Sequence, residues 1–321
     1  MTQPHLVAID VGSGYTKGLV EDTHIAFQSV AGPFPADDFF KASEAEKIVI
    51  NDFAWIVGDS AINSAKKEDR KDTLLDEWAG SDGWMALLFS AIAKLGIEGK
   101  IRLVTGIPQA QYADKARRQT ISSALKGKHK FEWKNRAIEI DIEVVQIIPQ
   151  AAGAVFCRAS QDESILEEVV GVVDIGTYTT GLSVMKHGEF SEARTGGEKV
   201  GVSDLIEALA SHLQKEYSYP LDKADGPKIL MERKIKNRGN IIEIHKDIEM
   251  LAKRVAQPML KVIETVWDGG NDLTVFVAGG GAPYYIDAIR EIVPHAQLME
   301  NNFFAVVTGM MLYLESTSES E

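Results

Sequence analysis

The sequence holds a single cysteine, Cys157, in 321 residues. That rules out an internal disulfide and a cysteine-built zinc site, and Cys157 reads as a small buried apolar residue. Basic residues are in the minority: 34 Lys and Arg against 47 Asp and Glu give a net charge of −13. A surface of that sign repels nucleic acid, whose binding depends on cations neutralising phosphates. Any tie to DNA is expected to run through a partner protein. The basic clusters Lys66-Lys67, Arg117-Arg118 and Lys234–Arg238 are short, lie among acids, and read as solvated helix faces. No apolar run approaches the about 18 residues of a membrane span. The N-terminus, MTQPHLVAIDVG, lacks a basic region followed by a long apolar stretch, so no signal peptide is expected. These absences make the cytoplasm the expected compartment.

What is present is ordinary in bulk. The chain is 45% hydrophobic and 25% charged, as in globular proteins that bury their cores without staples. Its length suits about two domains of roughly 100–200 residues each. The informative feature is a repeat. Val172–Val184, VVDIGTYTTGLSV, reads as strand, glycine turn, strand, with an aspartate at the strand end. Alone, this could be a plain hairpin whose Asp and Thr side chains satisfy their own turn. Val7–Val20, VAIDVGSGYTKGLV, resembles it when one residue of gap is allowed. A duplicated element half a chain apart suggests two related domains, each with one hairpin suited to gripping phosphate.

In chain order, Leu6–Asp10, Tyr15–Glu21 and Ile25–Val30 predict an antiparallel start. Ala31–Glu46 reads as loop, Lys47–Asn51 with Phe53–Val57 as a hairpin, and Ser60–Asp72 as a charged helix and connection. Apolar residues at 84, 87, 88, 91, 92 and 95 predict a helix over Asp82–Leu95, stopped at Gly96. Lys100–Thr105 is a strand and Ala110–Leu125 a helix. His129–Trp133, Ala137–Ile142 and Glu143–Ile148 are three strands. Gln150–Arg158 is a helix rich in small residues. After a linker at Ser160–Glu168, the strands Val169–Asp174, Thr180–Lys186 and Phe190–Thr195 repeat the opening. Helices follow over Val202–Glu216, Leu221–Arg233 and Ile241–Trp267, the last kinked or divided by Pro258. Leu273–Ala278 is a strand, Tyr284–Ile292 a helix, Gln297–Met299 a short strand and Phe303–Leu314 the final helix. This gives an α/β chain with a first domain over 1–158, carrying an inserted subdomain at about 32–72. A second domain covers 169–302, and a C-terminal helix over 303–315 returns to the first.

The candidate site residues lie at three glycine turns and one helix start. In the first hairpin, Gly12, Ser13, Gly14 and Tyr15 offer backbone N–H groups and a hydroxyl to an anion. Lys17, if not simply a surface lysine, returns over the turn as a point charge for phosphate. In the second, Gly176, Thr177, Tyr178 and Thr179 do the same. Asp10 stands before the first turn, and Asp174, at the strand end before the second, could face a metal ion or a water. Gly279, Gly280, Gly281 and Ala282 join a buried strand to a helix, either as a tight turn or as a place where a ribose or flat ring approaches. Gln150 opens a helix after Pro149, where a glutamine either orients an attacking water or is a plain helix-start residue.

Taken together, these elements resemble the superfamily of actin, sugar kinases and DnaK-type chaperones, over essentially the whole chain. Asp10–Lys17 resembles its first phosphate motif, Pro149–Gly153 its first connecting helix and Asp174–Thr180 its second phosphate motif. Val277–Ala282 resembles its adenosine motif and Asn302–Tyr313 its second connecting helix. Within it, FVAGGGAPYYIDAIREIVPHAQLMENNFFAVVTGMMLYL is most similar to actin-like proteins of the ParM/StbA plasmid-segregation type. The resemblance implies an actin-like, ribonuclease H-like duplicated fold with an interdomain nucleotide cleft. It also implies ATP or ADP as ligand, Mg2+ held by Asp10 and Asp174, slow hydrolysis with Gln150, Asp10 and Asp174 as catalytic residues, and head-to-tail filaments. Several ParM-type proteins have glutamate where this chain has Gln150, whereas actin has glutamine. Adenine contacts are expected from Gly201–Asp204 and Ile229–Arg238, and a DNA-binding adaptor as partner. A non-polymerising nucleotide switch and a small-molecule kinase are the alternatives. A chaperone is disfavoured, since no substrate-binding domain follows the last helix.

Overall fold

The computed structural model describes residues 3–35, 45–65, 70, 73, 78–187 and 189–318. The chain divides into two compact units, Met1–Ile165 with Phe304–Glu321, and Leu166–Phe303.

The first unit contains β1 (His5–Val11), β2 (Tyr15–Val20), β3 (Thr23–Gln28), β4 (Ala31–Pro33), β5 (Lys47–Ile50), β6 (Phe53–Val57), β7 (Gly99–Ile107), β8 (Gly127–Trp133) and β9 (Arg136–Pro149). Its helices are α1 (Gly58–Ser64), α2 (Asp82–Lys94), α3 (Gln109–Tyr112), α4 (Lys115–Leu125), α5 (Gln150–Ala159) and, from the far end of the chain, α11 (Ala305–Ser318). The strands form one sheet in the order β3-β2-β1-β7-β9-β8-β5-β6-β4. The first three are antiparallel, and β7 and β9 join in parallel. α2 starts where Ser81 accepts the amide of Trp84 and places Trp84, Leu87, Leu88 and Ile92 in the core with Val7, Ile9 and Leu103.

The second unit contains β10 (Val169–Ile175), β11 (Thr180–Lys186), β12 (Glu189–Glu198), α6 (Val202–Tyr217), α7 (Gly226–Glu232), β13 (Lys234–Asn237), β14 (Asn240–Glu243), α8 (His245–Val255), α9 (Gln257–Trp267), β15 (Thr274–Ala278), α10 (Ala282–Arg290) and β16 (Gln297–Leu298). Its main sheet runs β12-β11-β10-β15-β16. Three antiparallel strands are again followed by two added in parallel. The five-strand order thus occurs once in each unit, the architectural form of the repeat read in the sequence. Leu205, Leu209 and Leu213 of α6 bury one stripe in the core they share with Ile248, Leu251, Met259, Ile263 and Trp267.

Several elements differ from the sequence reading. The two hairpins match without a gap. Asp10 pairs with Lys17 and Val11 with Thr16, while Asp174 pairs with Gly181 and Ile175 with Thr180. Lys17 therefore corresponds to Gly181. Residues 31–33, read as loop, form β4; as the terminal strand of the sheet it tolerates Pro33, whose missing N–H breaks no ladder. The strands expected over 137–142 and 143–148 are one continuous β9. The helix expected over 60–72 is described only as α1, and residues 66–69 and 71–72 lie outside the described set, as do 36–44 of the block about 32–72. The helix expected over 221–233 is a single turn of 3-10 helix at Lys223–Asp225 followed by α7.

The 241–267 helix begins late, because Asn240–Glu243 pairs with Lys234–Asn237 as a separate hairpin. It is then divided at Ala256, two residues before Pro258, as a missing N–H requires. The cluster 234–238 is accordingly a strand and turn, not a helix face. Cys157, expected to be buried, is half-buried, and what burial it has pushes its thiol pKa up.

The small residues of α5 meet α11 backbone to backbone. A Cβ placed on Gly153 would lie 2.3 Å from the carbonyl oxygen of Val306, and one on Gly309 would lie 1.7 Å from that of Gly153.

Candidate functional site

Each unit carries its own glycine-turn hairpin with an aspartate near the strand end. In the first, β1 delivers Asp10 at its C-terminal end, and the chain turns through Gly12, Ser13 and Gly14 into β2. The Gly12 amide donates to the Tyr15 carbonyl at 3.1 Å, which closes the turn. Asp10 is only 4% exposed, a burial that a carboxylate accepts only with partners. It has two: the Lys17 ammonium, 3.7 Å from Oδ2, and the Gln150 amide, which donates to Oδ1 at 2.8 Å. Lys17 is itself 9% exposed and is no surface lysine. Gln150 is the first residue of α5 and is held against Gly106 of β7, where a Cβ would meet its Cγ at 2.9 Å. The structure thus brings Asp10, Lys17 and Gln150 together. The Ser13 carbonyl accepts from Thr73 Oγ1 at 2.8 Å and the Gly14 carbonyl from the Ser29 amide at 2.9 Å.

The second unit repeats the geometry. The Gly176 amide donates to the Thr179 carbonyl at 2.8 Å, equivalent to the Gly12–Tyr15 bond. Thr16 and Thr180, both buried, occupy matching places after the turns. Thr16 Oγ1 bonds Ser29 Oγ at 2.9 Å, and Thr180 Oγ1 donates to the Val200 carbonyl at 2.8 Å. In each unit the hairpin is thereby tied to the segment that follows the third strand.

Asp174 is the last but one residue of β10, half-buried, between Gly181 on one side and Ala278 on the other. Tyr178, at the apex of the turn, is 40% exposed.

The glycine run packs beside this second turn. The Gly281 amide donates to the Ile175 carbonyl at 2.9 Å, and the Gly279 amide to the Asn302 carbonyl at 3.0 Å. Gly279 has φ +87°, and a Cβ there would come within 2.5 Å of Asp174 Oδ1. Only glycine combines that backbone conformation with that approach. Ala282 is fully buried at the start of α10.

Sequence reasoning missed how the second turn is supported. The start of α6 lies directly on it: the amides of Val202 and Ser203 donate to the carbonyls of Gly176 and Thr177 at 3.2 and 2.8 Å. A Cβ on Gly201 would lie 2.4 Å from the Thr177 carbonyl oxygen. The Gly201 amide is bound by Asp204 Oδ2 at 2.8 Å, and its carbonyl accepts from the buried hydroxyl of Tyr285 at 2.8 Å. Burial, helped by Asp204, raises the Tyr285 pKa, so the phenol stays a donor. Tyr285→Phe should leave the Gly201 carbonyl unpaired and cost about 1–2 kcal/mol of stability. Thermal melting checks this, and an unchanged midpoint would count against it. Beyond Asp204, α6 borders a cavity of about 540 Å3 lined by Asp204, Glu207, Ser211, Lys223 and Arg254.

Each unit presents a carboxylate near a strand end beside a glycine turn, and the first adds a buried ammonium, groups of the kind that phosphate and a hard divalent cation use. Among the described residues no three His, Cys, Asp or Glu cluster as a ready-made metal cage, and no helix is long and apolar enough to cross a membrane.

The model of the actin-like protein N-terminal domain family matches residues 8–153. That of the archaeal MreB-like actin homologue C-terminal domain matches residues 172–291. The chain belongs to the actin-like proteins.

Solved structures agree with the fold of this actin-like chain. An archaeal actin homologue, Ta0583, in complex with ADP is similar at 19% identity and TM-score 0.79, with 99% of this chain and 100% of that one covered. ParM from Bacillus thuringiensis, solved with ATP, is similar at 16% identity and TM-score 0.73, with 99% and 100% covered. A 15-stranded ParM filament from Clostridium botulinum gives 22% identity and TM-score 0.73, with 98% and 100% covered. Among curated proteins no sequence match is found.

Proposed function

We propose that this actin-like chain is a slow ATP hydrolase that binds ATP with magnesium and assembles head-to-tail into filaments. We further propose that it works in the cytoplasm in DNA or plasmid segregation, through a DNA-binding adaptor. The observation that carries this reading is the repeated turn: the same glycine-to-carbonyl closure beneath a strand-end aspartate, once in each unit. That similar folds are solved with ADP, with ATP and as a filament supports it.

Each residue then has a role. Gly12, Ser13, Gly14 and Tyr15 in one unit and Gly176, Thr177, Tyr178 and Thr179 in the other grip phosphate oxygens through backbone amides and hydroxyls. Lys17 adds a point charge. Asp10 and Asp174 are the residues that would hold magnesium, an ion that keeps much of its hydration shell. When bound, the ion neutralises phosphate charge and polarises the transferred group.

Gln150 donates its amide to Asp10, which fixes the side chain and leaves its carbonyl oxygen to orient the attacking water. The turn from Gly279 to Ala282 and the start of α6 accept the nucleoside. Conversion of ATP to ADP alters the contacts of the turns and so the surfaces that join subunits. A head-to-tail contact that does not close on itself extends into a filament.

The test is light scattering with phosphate release on adding ATP and magnesium to purified protein. Scattering that rises with ATP and not with ADP is expected. Phosphate release without scattering at any concentration would reject the filament. Tight nucleotide binding with neither signal would indicate a switch, and turnover only with an added sugar a kinase.

A further inference from the structure

The repeat of the fold sets two carboxamides in matching places. In the first unit β9 runs parallel beside β7 and ends at Pro149, and Gln150 follows at the head of α5. In the second unit β16 runs parallel beside β15 and ends at Leu298. The chain continues to Asn301, whose φ of 45° is left-handed, and so to Asn302, three residues before the start of α11. Gln150 donates its side-chain amide to Oδ1 of Asp10. Asn302 donates its own to the carbonyl of Gly279 at 2.5 Å.

Asn302 and Gly279 bond in both directions, since the Gly279 amide donates to the Asn302 carbonyl at 3.0 Å. The asparagine therefore grips the peptide groups on both sides of the Gly279 Cα, which fixes the left-handed turn there, at φ 87°. That turn is the wall of Asp174: a Cβ on Gly279 would stand 2.5 Å from Asp174 Oδ1. The Asn302 amide is not needed to satisfy the carbonyl it bonds, because the Ala282 amide also donates to that oxygen, at 3.2 Å. It adds a constraint on orientation rather than rescuing a buried polar group.

We propose that Asn302 is a positioning residue for Asp174, the counterpart in the second unit of Gln150 in the first. By pinning Gly279 it holds the Asp174 carboxylate in place, and so it sets the affinity of the nucleotide-bound protein for magnesium. The inference rests on the reading of Asp174 as a residue that would hold the ion. The Asn302 amide acts on Asp174 through Gly279, so its loss leaves the carboxylate present and changes only its alignment. Groups that orient a metal-holding side chain without touching the ion affect metal affinity or activity by about 10–100-fold.

The experiment compares wild type with Asn302→Ala and with Asn302→Leu, which removes the amide but keeps the bulk. Thermal midpoints should stay near wild type, and hydrogen exchange of the Gly279 amide should speed up in both. Binding of Mn2+, as the magnesium probe, to the ADP complex should weaken by roughly tenfold or more, read by electron paramagnetic resonance. ADP affinity without divalent cation should not change. In an Asp174→Ala background, Asn302→Ala should weaken Mn2+ binding no further. Wild-type Mn2+ affinity in both variants overturns the inference. Weakened ADP binding without cation overturns it in favour of a nucleoside contact, and a lowered thermal midpoint in both variants in favour of a purely structural clamp. Asp174→Ala that binds Mn2+ as wild type does overturns the reading of Asp174 itself.

Discussion

Gly309→Ala should destabilise the first unit by about 2 kcal/mol or more, against the usual trend. In a helix interior this change normally gains about 1 kcal/mol, because glycine loses more backbone entropy. Here the new Cβ would lie 1.7 Å from the Gly153 carbonyl oxygen and 2.6 Å from the Cys157 nitrogen. Those are backbone atoms, so no rotamer change relieves the overlap, and α5 and α11 must move apart. Overpacking of this kind costs about 1–3 kcal/mol and sometimes more, and separated helices also lose their mutual burial. The steric term therefore outweighs the propensity gain. Urea denaturation checks the prediction, and a variant as stable as wild type would contradict it. Gly153→Ala should act in the same direction. The two effects should not add, because one displacement of the crossing relieves both.

Asp174→Ala should reduce ATP turnover by about 100-fold or more, while the thermal midpoint shifts by no more than about 1 kcal/mol would produce. The residue is half-buried at a strand end, and its role in the proposed mechanism is to hold the magnesium shell. Asp10→Ala is a less clean test. It would leave the 9%-exposed Lys17 ammonium without its carboxylate and Gln150 without its acceptor, so lost activity and lost stability would mix. Phosphate release at saturating ATP and magnesium, with circular dichroism as the control, makes the measurement. Turnover near the wild-type rate would remove Asp174 from the mechanism.

The hairpins were legible in the sequence because aspartate, glycine and alternating apolar residues leave a pattern that survives duplication. Their alignment was not, since Tyr15 and Tyr178 invite a match that backbone geometry rejects. Tyr15 corresponds to Thr179 as the acceptor that closes the turn. The hairpin at 234–243 was hidden for a related reason. Isoleucines at 241, 244 and 248 happen to continue the spacing of the helix that follows. The signal that separates them is local: Asn237-Arg238-Gly239-Asn240 before two β-branched residues marks a tight reversal.

The supports of the site were the least visible. Gly201, Tyr285 and Asn302 hold the second turn and the glycine run through backbone groups. Such contacts between distant segments leave no periodicity to read. Buried Lys17 was underdetermined, because no spacing reveals that Gln150 and Asp10 close over the same spot.

The division of the chain also bears on the order of folding during synthesis. The second unit is continuous, Leu166–Phe303, whereas the first draws its last helix from Phe304–Glu321. As the polypeptide emerges, the later-encoded unit has all its strands and helices before the earlier one has its own. Until α11 arrives, the glycine face of α5 and the sheet beside β1 stay uncovered. The surroundings of the first turn, with Gln150 at the head of α5, are therefore completed last. An incomplete chain would present the second turn already built and the first one unsupported.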